Sequence, residues 1–350
     1  MRLRIIGAAA AVAAVGLVMA GCSGTSGGSS SSGSSKPVVG VDYPRSDSDF
    51  WNAYINYVPK KAAQVGVDLK TTNSQNDISK LADNVQTLIA QGVQGVVIAP
   101  QDTAAVIPTL AQLASKKIPV VSVDTRPDSG KVYMVVRTDN KAYGEKACKY
   151  IGDELKGTGN VVMFEGDLAS INGRDRTDGF NDCMKANYPG IKVFGEPTKW
   201  DPPTAIAQLN TVLAGNTVNA IYMQASIYLP STLQALTQKN LLVPAGQAGH
   251  SVIVSNDGVA SEYEAIKAGQ MDATVSQPAD LYAQYSLEYI KQAIDGKVQK
   301  VGDDGHGGKI IKVGAQMLED QIPAPLVTLD GKYPDSLAIT DPSLWANQVK

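Results

Sequence analysis

The chain has 350 residues, of which 43% are hydrophobic and 19% are charged. This balance suits about two globular domains and excludes a chain that is disordered throughout. The formal net charge of -3 excludes the basic excess that a protein needs to bind nucleic acid. Two His and three Cys, without a Cys-x-x-Cys or His-Glu-x-x-His motif, predict that the chain has no metal site.

The first 21 residues have the pattern of a secretory signal peptide. Arg2 and Arg4 precede an apolar stretch over residues 5–20, which is shorter than the roughly 20 residues that span a bilayer. The stretch ends in Met19-Ala20-Gly21-Cys22, which resembles the lipobox of bacterial lipoproteins. The resemblance implies that residues 1–21 are removed and that Cys22 is lipidated, whereas an ordinary signal peptidase site would leave the cysteine unmodified.

Residues 22–36 are rich in Ser and Gly and cannot bury enough apolar surface to order themselves. We predict that they form a flexible tether between a lipidated Cys22 and a globular body. The expected location is therefore extracytoplasmic, with the chain anchored by lipid to the outer face of the cell membrane. No later apolar run in the sequence is long enough to cross a membrane.

From residue 37 onward, short runs rich in Val and Ile alternate with apolar residues at helical spacing, which is typical of parallel β/α units. Pro59 lies inside the first predicted helix and predicts a kink, because proline removes a backbone hydrogen bond. The first four predicted strands are residues 38–43, 67–73, 94–99 and 119–124.

A second series of units begins near Asp139, so the sequence predicts an α/β protein with two doubly wound parallel-sheet lobes. Residues 331–350 are rich in Pro and Asp, which is typical of a surface tail. The strands predicted in the second series are residues 160–165, 191–196, 218–223, 251–256, 272–276 and 324–329. The helices predicted there are residues 141–156, 173–188, 203–215, 227–239, 260–269 and 281–296.

Ligands of open α/β sheets bind outside the carboxyl ends of the strands. Two of the three Trp and many charged residues fall at such places. The segments concerned are residues 43–51, 124–126, 174–176, 200–201 and 256–257. Asp102, Asp139 and Asp201 precede predicted helices, and we interpret them as helix N-caps outside the site.

Several short motifs follow successive strands of both series. They are Phe50-Trp51, Ser74-Gln75-Asn76, Ala99-Pro100-Gln101-Asp102, Asp139-Asn140, the run from Gly173 to Phe180, Trp200-Asp201, Asn256-Asp257-Gly258 and Gln277-Pro278. In this order they resemble the ribose-type periplasmic binding protein family, the extracytoplasmic sugar receptors of ABC importers, whose type I fold is shared by LacI repressors. The resemblance covers nearly all of residues 37–300. It implies two lobes joined by a hinge, one formed by residues 37–138 with 278–308 and the other by residues 139–277 with 309–350.

The same resemblance implies a ligand-binding site that combines aromatic and polar side chains. The implied residues are Phe50, Trp51, Asp124, Arg176, Trp200, Asp257 and Gln277. The three aromatic rings would pack against the C–H face of a carbohydrate, and the four polar side chains would bond to its hydroxyl groups.

Two of these residues have a second interpretation. Trp51 shares a helical stripe with Ile55 and Val58, which equally predicts a place in the core. Arg176 stands two residues from Arg174 on a predicted helix, so the two side chains do not share a face. At most one of them is expected in the cleft, and the resemblance selects Arg176.

Three positions depart from the ribose receptors, which have Asn where this chain has Ala99 and Ala225, and Arg where it has Thr125. A buried site loses affinity when hydroxyl groups of the ligand are left unpaired, so the departures predict a different sugar or a sugar alcohol. The residues expected to supply replacement contacts are Arg126 and, as weaker candidates, Arg45, Asp47 and Arg137.

Cys148 and Cys183 fall on predicted helices of the second lobe. Two unpaired thiols would be unusual outside the membrane, so we predict a disulfide between them, although both residues also suit small buried positions. His250 and His306 are interpreted as ordinary surface residues. The segment from Asp303 to His306 lacks the spaced oxygen ligands of a calcium loop.

The predicted function is that of a monomeric, non-enzymatic receptor that closes over a small carbohydrate or polyol and passes it to an ABC permease. A ligand sensor for signalling has the same sequence features. A carbohydrate-active enzyme is a third hypothesis, but the sequence contains no Gly-x-Ser-x-Gly motif or phosphate-binding loop, and no cofactor is expected. The secretory start excludes a LacI-type repressor.

Overall fold

Residues 36–348 of the chain are described by a computed structural model. The predicted signal peptide and the lipidated Cys22 lie outside the described residues, as does the predicted tether except for Lys36. Between residues 36 and 348, no helix combines the length and the apolar character needed to cross a membrane.

Strands and helices alternate along most of this range. The strands are β1 (Val38–Tyr43), β2 (Asp68–Asn73), β3 (Gly95–Ile98), β4 (Val120–Val123), β5 (Met134–Thr138), β6 (Thr158–Phe164), β7 (Gly190–Glu196), β8 (Ala220–Met223), β9 (Val252–Asp257), β10 (Ala273–Ser276), β11 (Gly302–Asp303), β12 (Lys309–Val313), β13 (Met317–Ile322), β14 (Leu326–Thr328) and β15 (Ser336–Ala338). The α-helices are α1 (Asp49–Val65), α2 (Ile78–Ala90), α3 (Ile107–Ser115), α4 (Asn140–Glu154), α5 (Ile171–Asn187), α6 (Pro202–Gly215), α7 (Leu229–Gln238), α8 (Ala260–Lys267) and α9 (Ala279–Ile294).

The first sheet has eight strands in the order β11-β12-β13-β5-β4-β3-β1-β2. Its inner strands β3, β4 and β5 are buried along their whole length, as expected for parallel strands covered on both faces. Strand β12 pairs antiparallel to β11 and β13, and β13 returns to a parallel pairing with β5. Helices α1 and α9 pack against each other on this sheet.

The second sheet has seven strands in the order β15-β14-β10-β9-β8-β6-β7, and only β14 pairs antiparallel to its neighbour β10. Helices α4 and α5 lie backbone to backbone beside it. A Cβ atom at Gly144 would come within 2.2 Å of the Arg176 carbonyl oxygen, so the close approach requires glycine there. Cys148 and Cys183 form the predicted disulfide between the same two helices.

The two sheets confirm the predicted α/β architecture. The N-caps predicted at Asp139 and Asp201 are also confirmed, because their carboxylates accept hydrogen bonds from the first turns of α4 and α6. Helix α1 runs through Pro59 as one continuous element.

The assignment of residues 309–350 to the second lobe is wrong for two of its strands. Strands β12 and β13 pair within the first sheet, and only β14 and β15 extend the second one. The sequence analysis predicts no strand at β5, which precedes the second series. Strand β12 pairs with its sequence neighbours, and only the pairing of β13 with β5 joins segments that lie far apart along the chain. Local periodicity carries no information about which sheet a strand joins.

The surface tail predicted for residues 331–350 is wrong at β15, which joins the second sheet, and at Ile339 and residues 344–346, which are buried. Trp345 is only 4% exposed, and its ring packs edge to face on Phe50 with 6.3 Å between centroids. The indole Nε1 donates a hydrogen bond to the backbone oxygen of Asp257 at 3.2 Å. One large aromatic side chain therefore anchors a segment whose average composition is polar.

Candidate functional site

A small cavity lies where the carboxyl ends of strands from the two sheets approach each other. The centre of a water molecule can occupy about 60 Å³ of this cavity. That volume leaves room for a few waters or one small ligand. The lining residues come from segments that follow strands of both sheets and from the start of α5. They are Arg45, Ser48, Phe50, Trp51, Gln101, Asp124, Thr125, Ser170, Asn172, Arg176, Trp200, Ala225, Ile227, Asp257 and Gln277.

Phe50 and Trp51 form the aromatic wall on the side of the first sheet. The Ser48 hydroxyl caps α1 by accepting a hydrogen bond from the backbone N of Trp51, so both rings sit in the first helical turn. The Phe50 and Trp51 rings meet edge to face with centroids 5.1 Å apart, and Trp51 meets Tyr54 in the same way at 5.4 Å. Both interpretations of Trp51 therefore apply, because it lines the cavity and also packs in the core.

Trp200 forms the opposite wall, on the side of the second sheet, and is only partly buried. Lys199 and Trp200 both have positive φ, 54° and 58°, which is uncommon and costly for residues other than glycine. The indole lies directly over Gly166, where a Cβ atom would come within 2.2 Å of the ring. The loop thus holds this ring at the cavity through local strain and one close backbone contact.

Arg176 reaches the cavity from α5 and is only 3% exposed. Its Nε donates to Asn140 Oδ1 at 2.6 Å, and its Nη2 donates to Gln277 Oε1 at 2.8 Å. Nη1 donates to the backbone oxygen of Gln224. The guanidinium group also lies 5.9 Å from the Trp200 ring centroid, within cation–π range. These contacts hold the cation in one orientation.

Asp124 and Asp257 bring one carboxyl group from each sheet to the cavity. Burial raises the pKa of both groups, and the charge of Arg176 opposes that rise. Asp257 Oδ2 accepts hydrogen bonds from the backbone N of Ser226 at 2.8 Å and from its hydroxyl at 2.6 Å. The site therefore offers two buried acceptors around one buried cation.

Asp124 has one oxygen without a partner. Its Oδ2 accepts hydrogen bonds from Asn172 Nδ2 at 2.9 Å and from the Thr125 hydroxyl at 3.1 Å. Its Oδ1 is buried and has no hydrogen-bond partner. Because an unpaired buried acceptor is costly, a hydroxyl group placed in the cavity would remove that cost by donating to Oδ1.

The structure brings to the cavity all seven residues that the family resemblance implied, together with Arg45. Arg126 does not line the cavity, because its Nη1 points to Glu319 Oε2 at 3.4 Å. Arg45 donates two hydrogen bonds to Asp47, whose side chain is exposed and also lies outside the lining.

Arg137 is fully buried behind the cavity instead of within it. Its Nη1 lies 3.0 Å from Asp175 Oδ2, and its Nη2 donates to Asn172 Oδ1 at 2.8 Å. Because Asn172 in turn bonds to Asp124, Arg137 orients a lining residue without reaching the cavity.

Asn172 is the main lining residue that the sequence did not reveal. It directly precedes the motif that begins at Gly173, and the N-cap Ser170 places it in the first turn of α5. Its amide joins Asp124 of the first sheet to Arg137, so it acts as a bridge between two charged groups. The available signal was its place at a helix start after a strand, a feature shared by many capping residues.

Other contacts around the cavity also join the two sheets. Arg174, expected as the surface member of its pair, lies with Nη2 2.7 Å from Asp128 Oδ1. The Thr103 hydroxyl donates to the backbone oxygen of Ala169 at 3.2 Å. These bonds hold the edges of the two lobes together around the cavity.

Comparisons with known proteins show which proteins this chain is similar to. The model of the periplasmic binding protein domain matches residues 39–298. The ribose import binding protein RbsB of Haemophilus influenzae is 26% identical over 265 residues, which cover 75% of this chain and 88% of that protein. The xylitol-binding protein of Mycolicibacterium smegmatis is 28% identical over 234 residues, 66% of this chain and 65% of that protein.

A solved structure is similar at the level of the whole fold. It is an ABC transporter solute binding protein from Mycobacterium smegmatis with bound glycerol, and it matches with a TM-score of 0.70 and 26% sequence identity. The match covers 76% of this chain and 90% of that chain.

Proposed function

Because the chain belongs to the periplasmic binding protein family, we propose that it captures a monosaccharide or sugar alcohol between its lobes and delivers it to an ABC permease. The observation that carries the proposal is the cavity in which Trp51 and Trp200 flank Arg176 and two buried carboxyl groups. A carbohydrate needs both surfaces, since its C–H groups pack on aromatic faces and its hydroxyl groups bond to charged side chains. Binding and release require no chemical step.

We infer that the ligand differs from ribose. Ala225 lines the cavity, whereas Ala99 is fully buried and outside the lining, so two positions that hold Asn in ribose receptors offer no polar side chain. The unpaired Oδ1 of Asp124 calls for a hydroxyl donor at another place in the cavity. One relative is a xylitol-binding protein and one similar structure holds glycerol, which supports testing sugar alcohols first.

Capture requires the two lobes to separate and close. The bonds from Asp124 to Asn172 and from Arg174 to Asp128 surround the cavity, so a ligand must enter while they are open. Hinge closure of this kind excludes water from the bonded hydroxyl groups. The closed, ligand-bound conformation is the one that a permease would recognise.

We also propose that the mature protein is a monomer tethered by a diacylated Cys22 at the outer face of the cell membrane. The support is the sequence pattern of residues 1–36. Replacing Cys22 by Ser should release the protein from the membrane fraction and abolish incorporation of labelled fatty acid. Retention of the Cys22→Ser protein with the membrane would contradict the tether.

The binding function is tested by titrating the purified protein with ribose, xylitol, glycerol and other sugars and sugar alcohols. One of them should produce a saturable change in tryptophan fluorescence and a calorimetric heat at one ligand per chain. In Asp257→Ala, affinity should fall about 5- to 150-fold, because ligand hydroxyl groups lose a buried acceptor.

Asp201→Ala is the matched control, since this carboxylate is exposed and caps a helix outside the cavity. It should bind the ligand normally. The proposal fails if no member of the panel binds, if both Asp variants lose affinity equally, or if incubation releases a chemically modified sugar.

A further inference from the structure

A second cluster of polar side chains lies where the connection between β11 and β12 meets β13. Asp304 and His306 belong to the connection, and Asp320 belongs to β13. His306 Nε2 lies 3.0 Å from Asp304 Oδ2 and 3.0 Å from Asp320 Oδ2. None of the three residues lines the carbohydrate cavity, so the cluster is independent of the proposed binding function.

The connection between β11 and β12 orients one carboxylate oxygen of Asp304 toward His306. Its Oδ1 accepts hydrogen bonds from the backbone N of His306 at 2.9 Å and of Gly308 at 3.0 Å. Its Oδ2 is buried beside His306 Nε2 and has no hydrogen-bond partner. The Asp304 side chain is fully buried, so water does not compensate for the missing donor.

One imidazole cannot satisfy both carboxyl groups, because Nε2 carries at most one hydrogen. The Asp320 side chain is also fully buried, and its Oδ1 is unpaired as well. Two carboxyl groups buried side by side repel each other when both are charged. A cation at this place would pair with the two oxygens and remove that repulsion.

We propose that Asp304, His306 and Asp320 bind a divalent first-row transition-metal ion, with zinc as the expected one. One nitrogen or oxygen of each side chain lies within 4.8 Å of the others. Zinc lies about 2.0–2.2 Å from such ligands, so two ligand atoms of a tetrahedral site lie roughly 3.3–3.6 Å apart. The two separations of 3.0 Å from His306 Nε2 are slightly shorter than this, so the three side chains need to move apart only by a few tenths of an ångström to admit the ion.

The mixed ligand set argues against the hard cations. Calcium and magnesium prefer oxygen ligands throughout, whereas an imidazole nitrogen favours zinc and its neighbours in the first transition row. The His306 ring stacks on Tyr285 with 3.7 Å between centroids, which holds the imidazole in place. The composition of the chain predicted no metal site because Asp320 joins the other two residues only through the pairing of β13.

The ion would join the connection between β11 and β12 to β13, which pairs with β5 of the first sheet. Because it binds the folded state alone, it would stabilise that state in proportion to its free concentration. The ion would have a structural role. Its site lies on the segment that rejoins the first lobe after the chain has passed through the second lobe.

The test uses the mature protein without a histidine tag, stripped with EDTA and dialysed. The chain has only two His residues, so few competing zinc sites exist. Calorimetry with ZnCl2 should give one zinc per chain, and saturating zinc should raise the Tm by about 3–6 °C. In His306→Gln, zinc affinity should fall by at least about 100-fold, since loss even of an outer-shell partner costs 10- to 100-fold.

His250→Gln is the matched control, because His250 pairs with Asp272 in the second lobe with Nε2 3.0 Å from its carboxylate. This variant should keep full zinc binding. Asp304→Asn, which preserves the shape of the side chain, is a second variant in case His306→Gln folds poorly. Circular dichroism shows whether each variant is folded. The proposal is overturned if zinc does not bind below about 1 mM, or if His306→Gln and Asp304→Asn bind it as well as the control does. Sugar titration of the same variants reports the carbohydrate function separately.

Discussion

The two aromatic walls of the cavity are built in different ways. The wall of the first lobe, Phe50 and Trp51, is buried in a network of edge-to-face rings that includes Trp345. The wall of the second lobe is the single ring of Trp200, held by a loop with positive φ and by contact with Gly166. The first wall is an extension of the hydrophobic core, whereas the second is a partly exposed ring on a strained loop.

Because of this difference, we expect the first wall to contribute mainly to the stability of the fold and the second wall mainly to ligand binding. Side chains of the first wall bury area that stabilises the fold whether or not a ligand is present. Under the proposed function, a ligand would cover the exposed part of Trp200, so the contribution of this ring should appear in binding. Residues that line one cavity can therefore have unequal effects on folding and on affinity.

Replacing Phe50 by Ala should cause the largest loss of stability. We expect the free energy of unfolding to fall by about 3–5 kcal/mol, because a 2% exposed ring leaves a cavity in the core. Trp200→Ala should cost only about 1–2 kcal/mol in stability, yet weaken ligand binding by about tenfold or more.

Urea unfolding and calorimetric titration of both variants measure these two effects. Equal stability losses for Phe50→Ala and Trp200→Ala would contradict the distinction between the walls. So would a Trp200→Ala protein that binds its ligand with unchanged affinity.

Gly166→Ala should have an intermediate effect that is confined to the second wall. The residue has a φ of +69°, and its new Cβ would meet the Trp200 ring at 2.2 Å. We expect a cost of about 1–2 kcal/mol in stability from the backbone alone, with a shifted Trp200 emission spectrum and weaker binding. Gly215→Ala is the control, because nothing lies within 4 Å of its Cβ position. Unchanged emission and affinity in Gly166→Ala would show that Trp200 does not depend on this contact.

The last expected effect concerns the pH dependence that one buried carboxyl group near Asp257 gives to the stability of the fold. Glu262 is fully buried, and its Oε2 accepts a hydrogen bond from the backbone N of Gly258 at 2.7 Å. Burial, together with the charge of Asp257, raises the pKa of Glu262. The folded state therefore holds this proton more tightly than the unfolded state, so stability is greatest below the unfolded pKa of about 4.3 and falls as pH rises through the raised value.

In Glu262→Gln, the free energy of unfolding should fall less steeply as the pH rises. A single carboxyl group can contribute at most about 1.4 kcal/mol per pH unit to that fall. Unfolding by urea at several pH values from 4 to 8, without ligand and with EDTA present, measures the slope. The exposed Glu264→Gln variant should keep the slope of the unmodified protein. An identical slope in Glu262→Gln would assign the pH dependence to other groups.

Much of the fold could be predicted from the sequence because parallel strands and amphipathic helices leave strong local patterns. The buried run of β3 and the capped start of α4 at Asp139 are examples in which one segment carries its own signal. Strands β12 and β13 carry no comparable signal about their sheet. The chain reaches them after it has returned from the second sheet to the first, where β13 pairs with β5.

The residues of the candidate site also fall into those that could be predicted from the sequence and those that could not. Trp200 and Asp257 could be identified because Trp200 lies after β7 and Asp257 ends β9, both in motifs with a recognisable order. Asn172 could not, since an Asn at a helix start usually has a capping role. Arg126 and Arg137 were plausible by type and position, but carboxyl groups from other segments bind them away from the cavity.

Sequence patterns were enough to predict the two series of β/α units, the disulfide pair and most of the polar and aromatic residues at the cavity. They did not reveal that Trp345 supports Phe50, that Asn172 joins the two lobes, or that Asp320 lies beside Asp304 and His306. Periodicity and capping act over only a few residues, which explains this division. Contacts between distant segments depend on how complete sheets and helices pack, and no single segment records that.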